Sequence, residues 1–351
     1  MVGRDAGSRC SIARRPDQPR TRVTRGTACK ESRSAPLARA FGLTLPAARH
    51  TGAMTYSIVA RDSATGELGV AVQSHWFSVG SVVVTGLAGV GAIATQASPN
   101  LSFKHRGLEM LRDGMTAAEA SLALREDDPA IEHRQFAIVD AHGGAVAFTG
   151  KACMGEAGQY SGDSYTCQAN MMRNDTVWAT MARAFEQAGG SLSSRLLAAL
   201  DAAQGAGGDL RGQQSAAILV VPANGTPADT VVDLRVEDHP TPLVELRRLV
   251  TLGGAYRLAD DGDDLVARGD FSTAASRYVA ANEIAPDNDE LRFWAGLGLI
   301  SAGVPQRGVD LLRASIASDS SWHELLTRLD PLDVPSSGEA LRLLGESDLI
   351  R

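Results

Sequence analysis

Two short runs of alternating apolar and small or polar residues, Tyr56 to Ala60 and Leu68 to Val72, flank a turn-forming stretch from Asp62 to Gly66. A period of two places alternate side chains on opposite faces of an extended chain, so the pair predicts a hairpin. A hairpin leaves backbone N–H and C=O groups unpaired at its edges and needs further strands beside it. The chain supplies them. Strand-like runs recur at Val79 to Thr85 and Val90 to Ala97 around Gly86-Leu87-Ala88-Gly89, and at Gln135 to Val139 and Ala145 to Thr149 around His142-Gly143-Gly144. Others lie around Tyr165 to Gln168, at Ala216 to Val221 and at Val231 to Val236.

Helical patterns separate these runs. Leu101, His105, Leu108 and Leu111 share one face of a helix that stops at Asp113-Gly114, and Thr116 with Glu119 forms the capping box of a second. Two more are expected over 177–187 and 192–203. Strands, two helices, strands, two helices, strands is an α+β order. It predicts two sheets face to face with helices on both outer sides. Gly89-Val90-Gly91-Ala92-Ile93-Ala94 nominally matches a dinucleotide fingerprint, but strand character follows Gly91 where a helix should begin, so no nucleotide is expected.

Charge divides the chain unevenly. Residues 1–53 hold ten Arg and one Lys against two Asp and one Glu, a net +8, so with −7 overall the remainder carries −15. An acidic body argues against nucleic acid and anionic membranes as partners, and no apolar run approaches the roughly 20 residues of a membrane helix. The basic segment lacks apolar periodicity and reads as disordered. A start placed too far upstream, a propeptide and a targeting leader all account for it; its best apolar core, Ala40 to Leu45, is too short for a secretory signal. A cytoplasmic location is therefore expected. Cys10 and Cys29 fall in this segment, while Cys153 and Cys167 could meet across a hairpin but read first as two free buried thiols. Neither C-x-x-C nor histidine spacing suggests a metal, and no cofactor is expected.

The residues where the first strand begins carry chemistry. Met54-Thr55 is an initiator-type pair, and removal of the methionine would leave Thr55 with a free α-amine. A threonine hydroxyl needs a base, and an α-amine titrating near 8 is one, so a single residue would supply both nucleophile and base. Gln73, Ser74 and His75 at the end of the second strand, Gln96 at the end of the fourth, and Asn170 after the strand from Tyr165 are candidate substrate or oxyanion groups. Each has a plainer reading. Thr55 also suits the start of a strand, Ser74 and His75 a strand cap, and Asn170 a turn.

Several of these segments occur together in one known family. Thr55-Tyr-Ser-Ile-Val-Ala-Arg-Asp62, Gly66 through Phe77, Ala94-Thr-Gln-Ala97, Arg106 through Leu111, Arg134-Gln135, Phe148-Thr-Gly150 and Asp233 through Pro240 resemble the DUF1028 proteins over Met54 to about Leu249. That resemblance implies the N-terminal-nucleophile (Ntn) hydrolase superfamily: a four-layer αββα sandwich, an acyl-enzyme on Thr55, an amide substrate that is a small molecule or peptide, and a homo-oligomer. Gln168-Ala-Asn-Met-Met172 departs from the family's usual Gln-Gly-Asn-Met-Leu.

A repeat of 34 residues marks the C-terminal part. Gly262 and Gly296 match, as do Gly269 and Gly303, and Ala274, Tyr278, Ala281 and Pro286 have weaker counterparts in Gly308, Leu312, Ser315 and Ser320. The spacing is that of a tetratricopeptide unit. Two units cannot bury a core alone, so four helices are expected to lean on the preceding domain or on a partner. The expected organisation is a leader over 1–53, an Ntn-like domain over 54–242 and a small all-α helical-repeat segment over 243–351. An amidohydrolase with Thr55 as nucleophile is the first functional expectation. The alternative is a non-catalytic ligand-binding scaffold whose repeats, residues 243–351, meet a protein partner or a second copy.

Overall fold

A computed structural model describes residues 55–345; the basic leader, Met54, Cys10 and Cys29 lie outside the described residues. Strands β1 (Thr55–Arg61) and β2 (Leu68–Ser74) form the expected hairpin. A short helix α1 (Val79–Val83) leads into β3 (Val84–Leu87) and β4 (Gly91–Ala97), followed by helices α2 (Ser102–Arg112) and α3 (Ala117–Glu126). Strands β5 (Arg134–Asp140), β6 (Ala145–Thr149), β7 (Glu156–Gly162) and β8 (Tyr165–Met172) precede α4 (Val177–Gln187) and α5 (Leu192–Gly205). Next come β9 (Ser215–Val221), β10 (Val232–Val236) and helices α6 (Pro242–Ala267), α7 (Phe271–Ile284), α8 (Asp289–Ser301), α9 (Pro305–Ser318), α10 (Ser321–Arg328) and α11 (Ser336–Leu343).

The strands form two antiparallel sheets, one of six strands in the order β10-β9-β2-β1-β8-β7 and one of four in the order β3-β4-β5-β6. Period-two alternation sorts their residues into distinct cores. Val59, Val70, Val72 and Leu219 from the larger sheet meet Val84, Ala92, Ala94 and Val139 from the smaller one. Tyr56, Ile58 and Ala71, on the other face of the larger sheet, pack with Met181 and Phe185 of α4 and Leu196 and Leu200 of α5. Ile93, Phe136 and Ile138 on the far face of the smaller sheet pack with Phe103 and Leu111 of α2 and Leu124 of α3. Each large apolar side chain so buried contributes about 1.5–3 kcal/mol.

Several local expectations change. The β-branched run from Val79 opens as a helix, because the Ser215 hydroxyl accepts from the Val79 N–H and Gly80, without a side chain, sits against Ala217 of β9. The buried residues of α2 are Phe103, Gly107 and Leu111, while Leu101 is exposed. The capping box of α3 is present in both directions. Strand β7 was not expected, since its exposed, polar sequence lacks an apolar period. Asn170 lies within β8, paired with Thr55, and not in a turn after it.

The C-terminal part contains six described helices where four were expected. Residues 243–261, ahead of the repeat, belong to α6: Leu243 and Leu246 join the core beneath β9 and β10, and Ala255 and Ala259 pack with α7 and α8. Gly262 lies against Tyr278 of α7, and Gly296 lies in the same way against Leu312 of α9; an added Cβ would come within 2.7 Å and 2.9 Å of those side chains. Gly269 and Gly303 end their helices with φ of 80° and 78°, a backbone region that glycine enters without steric cost.

Candidate active site

The start of β1, β5 and β9 and the end of β2, β4 and β8 meet at one end of the two sheets, as the register of Thr55 with Ser74 and Asn170, Ser74 with Ser215, and Gln96 with Gln135 requires. Thr55 is the first residue of β1 and is fully buried. Its hydroxyl donates to Ser74 Oγ at 3.3 Å. Its carbonyl accepts from Gln96 Nε2 at 3.3 Å and Asn170 Nδ2 at 3.5 Å. Four of the six residues expected from sequence, Thr55, Ser74, Gln96 and Asn170, therefore come together between the sheets.

Gln73 and His75 do not join them. Alternation along β2 turns Gln73 to the helix-covered face with Tyr56 and Ala71, where neither end of its buried amide has a hydrogen-bond partner. His75 is exposed beyond the strand end. Asp209 Oδ2 accepts from its backbone N–H at 3.0 Å, and its Nδ1 lies 3.2 Å from the Gln213 carbonyl. Asp209 is itself buried and ion-paired with Arg211 at 3.0 Å, so it pins the loop that carries His75.

Gln135 is the hub that links the two sheets. Its Nε2 donates to the Ala169 carbonyl at 2.9 Å, Thr149 Oγ1 at 2.9 Å and the Gly158 carbonyl at 3.2 Å. Three acceptors around the nitrogen fix which way the amide points. Oε1 must then be the acceptor, and it receives Gln96 Nε2 at 2.7 Å and Asn170 Nδ2 at 2.9 Å. Ser57 Oγ donates to Gln96 Oε1 at 2.7 Å and accepts from Gln168 Nε2 at 2.6 Å. The N–H groups of Gln96 and Asn170 are thus engaged by protein acceptors, the Thr55 carbonyl among them. Sequence reasoning missed Gln135, Ser57 and Gln168 as site residues. A usable signal was present, because a Gln lies at or beside one end of each of four strand-like runs, at 73, 96, 135 and 168.

Beside this network lies a cavity of about 230 Å³ lined by Ala97, Ser98, His133, Ala152, Cys153, Met154 and Asn170. Its walls are built firmly. Arg134 pairs with Asp128 at 3.0 Å and donates to the Ser98 carbonyl at 2.6 Å, and Asn100 donates to the same carboxylate at 2.9 Å. Burial works to raise the Asp128 carboxyl, but hydrogen bonds from Asn100, the Ala130 N–H and Arg134 outweigh it and hold the group below its ordinary value. Burial pushes the Cys153 thiol up to about 11, against a lowering hydrogen bond at Gly150 and with a raising contribution from Glu132. Ala97, in the cavity wall, and Met171, next to Asn170 in β8, have φ of 64° and 57°. Left-handed backbone at residues with a Cβ carries a cost, and such residues cluster at functional sites.

Among the described residues no group of three or more His, Cys, Asp or Glu could hold a metal ion, and no helix is long and apolar enough to cross a membrane. A family model described as "Family of unknown function (DUF1028)" matches residues 55–246. The crystal structure of protein SPO2555 from Silicibacter pomeroyi, assigned to the same family model, is 34% identical, with a TM-score of 0.52 over 56% of this chain and 88% of that one. Anbu (ancestral beta-subunit) from Yersinia bercovieri is 12% identical, with a TM-score of 0.30 over 55% of this chain and 92% of that one. No curated protein matches the chain.

Proposed function

Since the chain belongs to the DUF1028 family, we propose that it is an amide hydrolase of the N-terminal-nucleophile type, in which a chain trimmed to Thr55 uses that residue's hydroxyl as nucleophile and its α-amine as base. In this reading the sheets with α2–α3 and α4–α5 outside them are a four-layer αββα sandwich over 54–242. The helices over 243–351 are a tetratricopeptide-like region available for self-association. The observation that carries the proposal is the position of Thr55: it opens an inner strand, buried, with its hydroxyl against Ser74 and its carbonyl held by two amide side chains.

The steps follow from ordinary acyl transfer. The amine takes the Thr55 hydroxyl proton as Oγ1 attacks the amide carbon. The proton passes to the departing nitrogen as the C–N bond breaks, leaving an ester on Thr55. Water, deprotonated by the same amine, then cleaves the ester. Ser74 is the hydroxyl beside Oγ1 and Gln96 and Asn170 are positioning residues, while His75 and Gln73 have no part. Thr55→Ala should abolish hydrolysis in a screen of simple amides that the wild type turns over. Undiminished turnover would refute the nucleophile assignment.

One observation favours the scaffold instead: the amide N–H groups nearest Thr55 all donate to protein acceptors. A scaffold would bind amides through this end of the sandwich without turning any over, whether or not the chain were trimmed at Thr55.

A further inference from the structure

The cavity beside Asn170 has a chemistry of its own. At about 230 Å³ it is smaller than the roughly 300–1,000 Å³ of sites for drug-sized ligands, so it suits a short chain and excludes a folded peptide segment. Ala97, Ala152, Cys153 and Met154 supply apolar or weakly polar walls, and burial keeps the Cys153 thiol protonated at neutral pH. The Arg134 charge nearby is already engaged by Asp128.

Asn170 adds one directional group. Because three acceptors around Gln135 Nε2 leave Oε1 facing Asn170, the Asn170 nitrogen must point at that oxygen, and it reaches the Thr55 carbonyl as well. Both of its hydrogen bonds come from Nδ2. The Asn170 Oδ1 acceptor is thereby left for a ligand N–H at the edge of the cavity.

We propose that this cavity is the subsite for an uncharged aliphatic carboxamide, whose short chain lies among Ala97, Ala152, Cys153 and Met154 and whose N–H donates to Asn170 Oδ1. Its catalytic meaning rests on the Thr55 reading above; the binding itself does not. Charged analogues are disfavoured, because a carboxylate brings no N–H to Asn170 Oδ1, and an ammonium would exchange its hydration for that one neutral acceptor with no counter-charge among Ala97, Ala152, Cys153 and Met154.

Saturation-transfer NMR on the full-length protein tests this with hexanamide, hexanoate and hexylammonium. Hexanamide should bind, the two charged analogues about tenfold more weakly or worse, and Ala152→Phe and Cys153→Leu should each weaken hexanamide by about tenfold, at the lower end of what pocket shape discriminates. Because Ala152 lies on an exposed loop, its variant should keep the wild-type melting temperature. Thr55→Ala removes no cavity wall and should keep hexanamide binding. Equal binding of the charged analogues, no binding of hexanamide, or hexanamide binding unchanged in both wall variants would overturn the subsite. Retained binding with amide turnover that survives Thr55→Ala would spare the subsite and refute the nucleophile. Turnover of hexanamide that depends on Thr55 but ignores both wall variants would do the reverse.

Discussion

The space between the two sheets has two unlike ends. Toward the turns of the β1–β2 hairpin it is filled by Val59, Leu68, Val70, Val139 and Val221, a dry core of the kind any pair of sheets must make. Toward the start of β1 the same strands present Thr55, Ser57, Ser74, Gln96, Gln135, Gln168 and Asn170, every one of them buried. Leaving a buried amide without its hydrogen bonds costs free energy, so the polar end needs a definite geometry where the apolar end needs little beyond volume. The difference separates residues that hold the fold from residues that hold Thr55 and the neighbouring cavity.

The largest effect that would sharpen this contrast is at the hub. Gln135→Leu leaves the amides of Gln96 and Asn170 without their shared acceptor, and should cost about 3 kcal/mol while also weakening hexanamide binding, measured by urea unfolding and ligand NMR. Leu68→Ala, at the other end, should cost a similar amount, about 2–5 kcal/mol, yet leave hexanamide binding unchanged in the folded protein. If both variants weakened binding equally, the two ends would not be functionally distinct.

A smaller effect belongs to the helices. Gly296→Ala drives a methyl toward the Gly308 carbonyl and Leu312, and should cost about 1–3 kcal/mol with no change at the Thr55 end.

Acid should loosen the cavity wall before it loosens the apolar end. Asp128 lies below its ordinary pKa, so its stabilisation is full above the unfolded value of about 3.9 and is lost as pH falls from there through the lower folded value. Hexanamide binding followed from pH 7 to pH 3 should decline in that window, and Asp128→Asn should flatten the decline. Smallest of all, Cys153 should be alkylated slowly at pH 8 because its thiol titrates near 11, while Cys167, fully buried, should react only after unfolding, as peptide mass mapping would record.

How much of this was legible follows the same division. The β1–β2 and β5–β6 hairpins, the α3 capping box and the pairing of sheets with helices follow from local periodicity and turn chemistry. The Val79 run misled because β-branched residues favour strands until a tertiary contact, here Ser215 on the Val79 N–H, rewards the helix. Strand β7 was invisible because an exposed edge needs no apolar period.

For the site, the residues at strand ends were legible and their facing was not. Gln73 and Ser74 are adjacent, so alternation sends one to the helices and the other to Thr55, and only the register decides which. Gln135 escaped notice because its role exists only once β5 and β8 are brought together across the sheets. The cavity was equally hidden, since β4, the turn before β5, the β6–β7 loop and β8 all contribute to its walls.

The most direct measurement is N-terminal sequencing with intact mass on the protein purified from its native cells. The account predicts a chain that begins at Thr55 with an unblocked α-amine, and amide turnover that rises with pH as that amine deprotonates near 8. A mature, folded chain that keeps residues ahead of Thr55 would deprive the hydroxyl of its base and contradict the proposed catalysis.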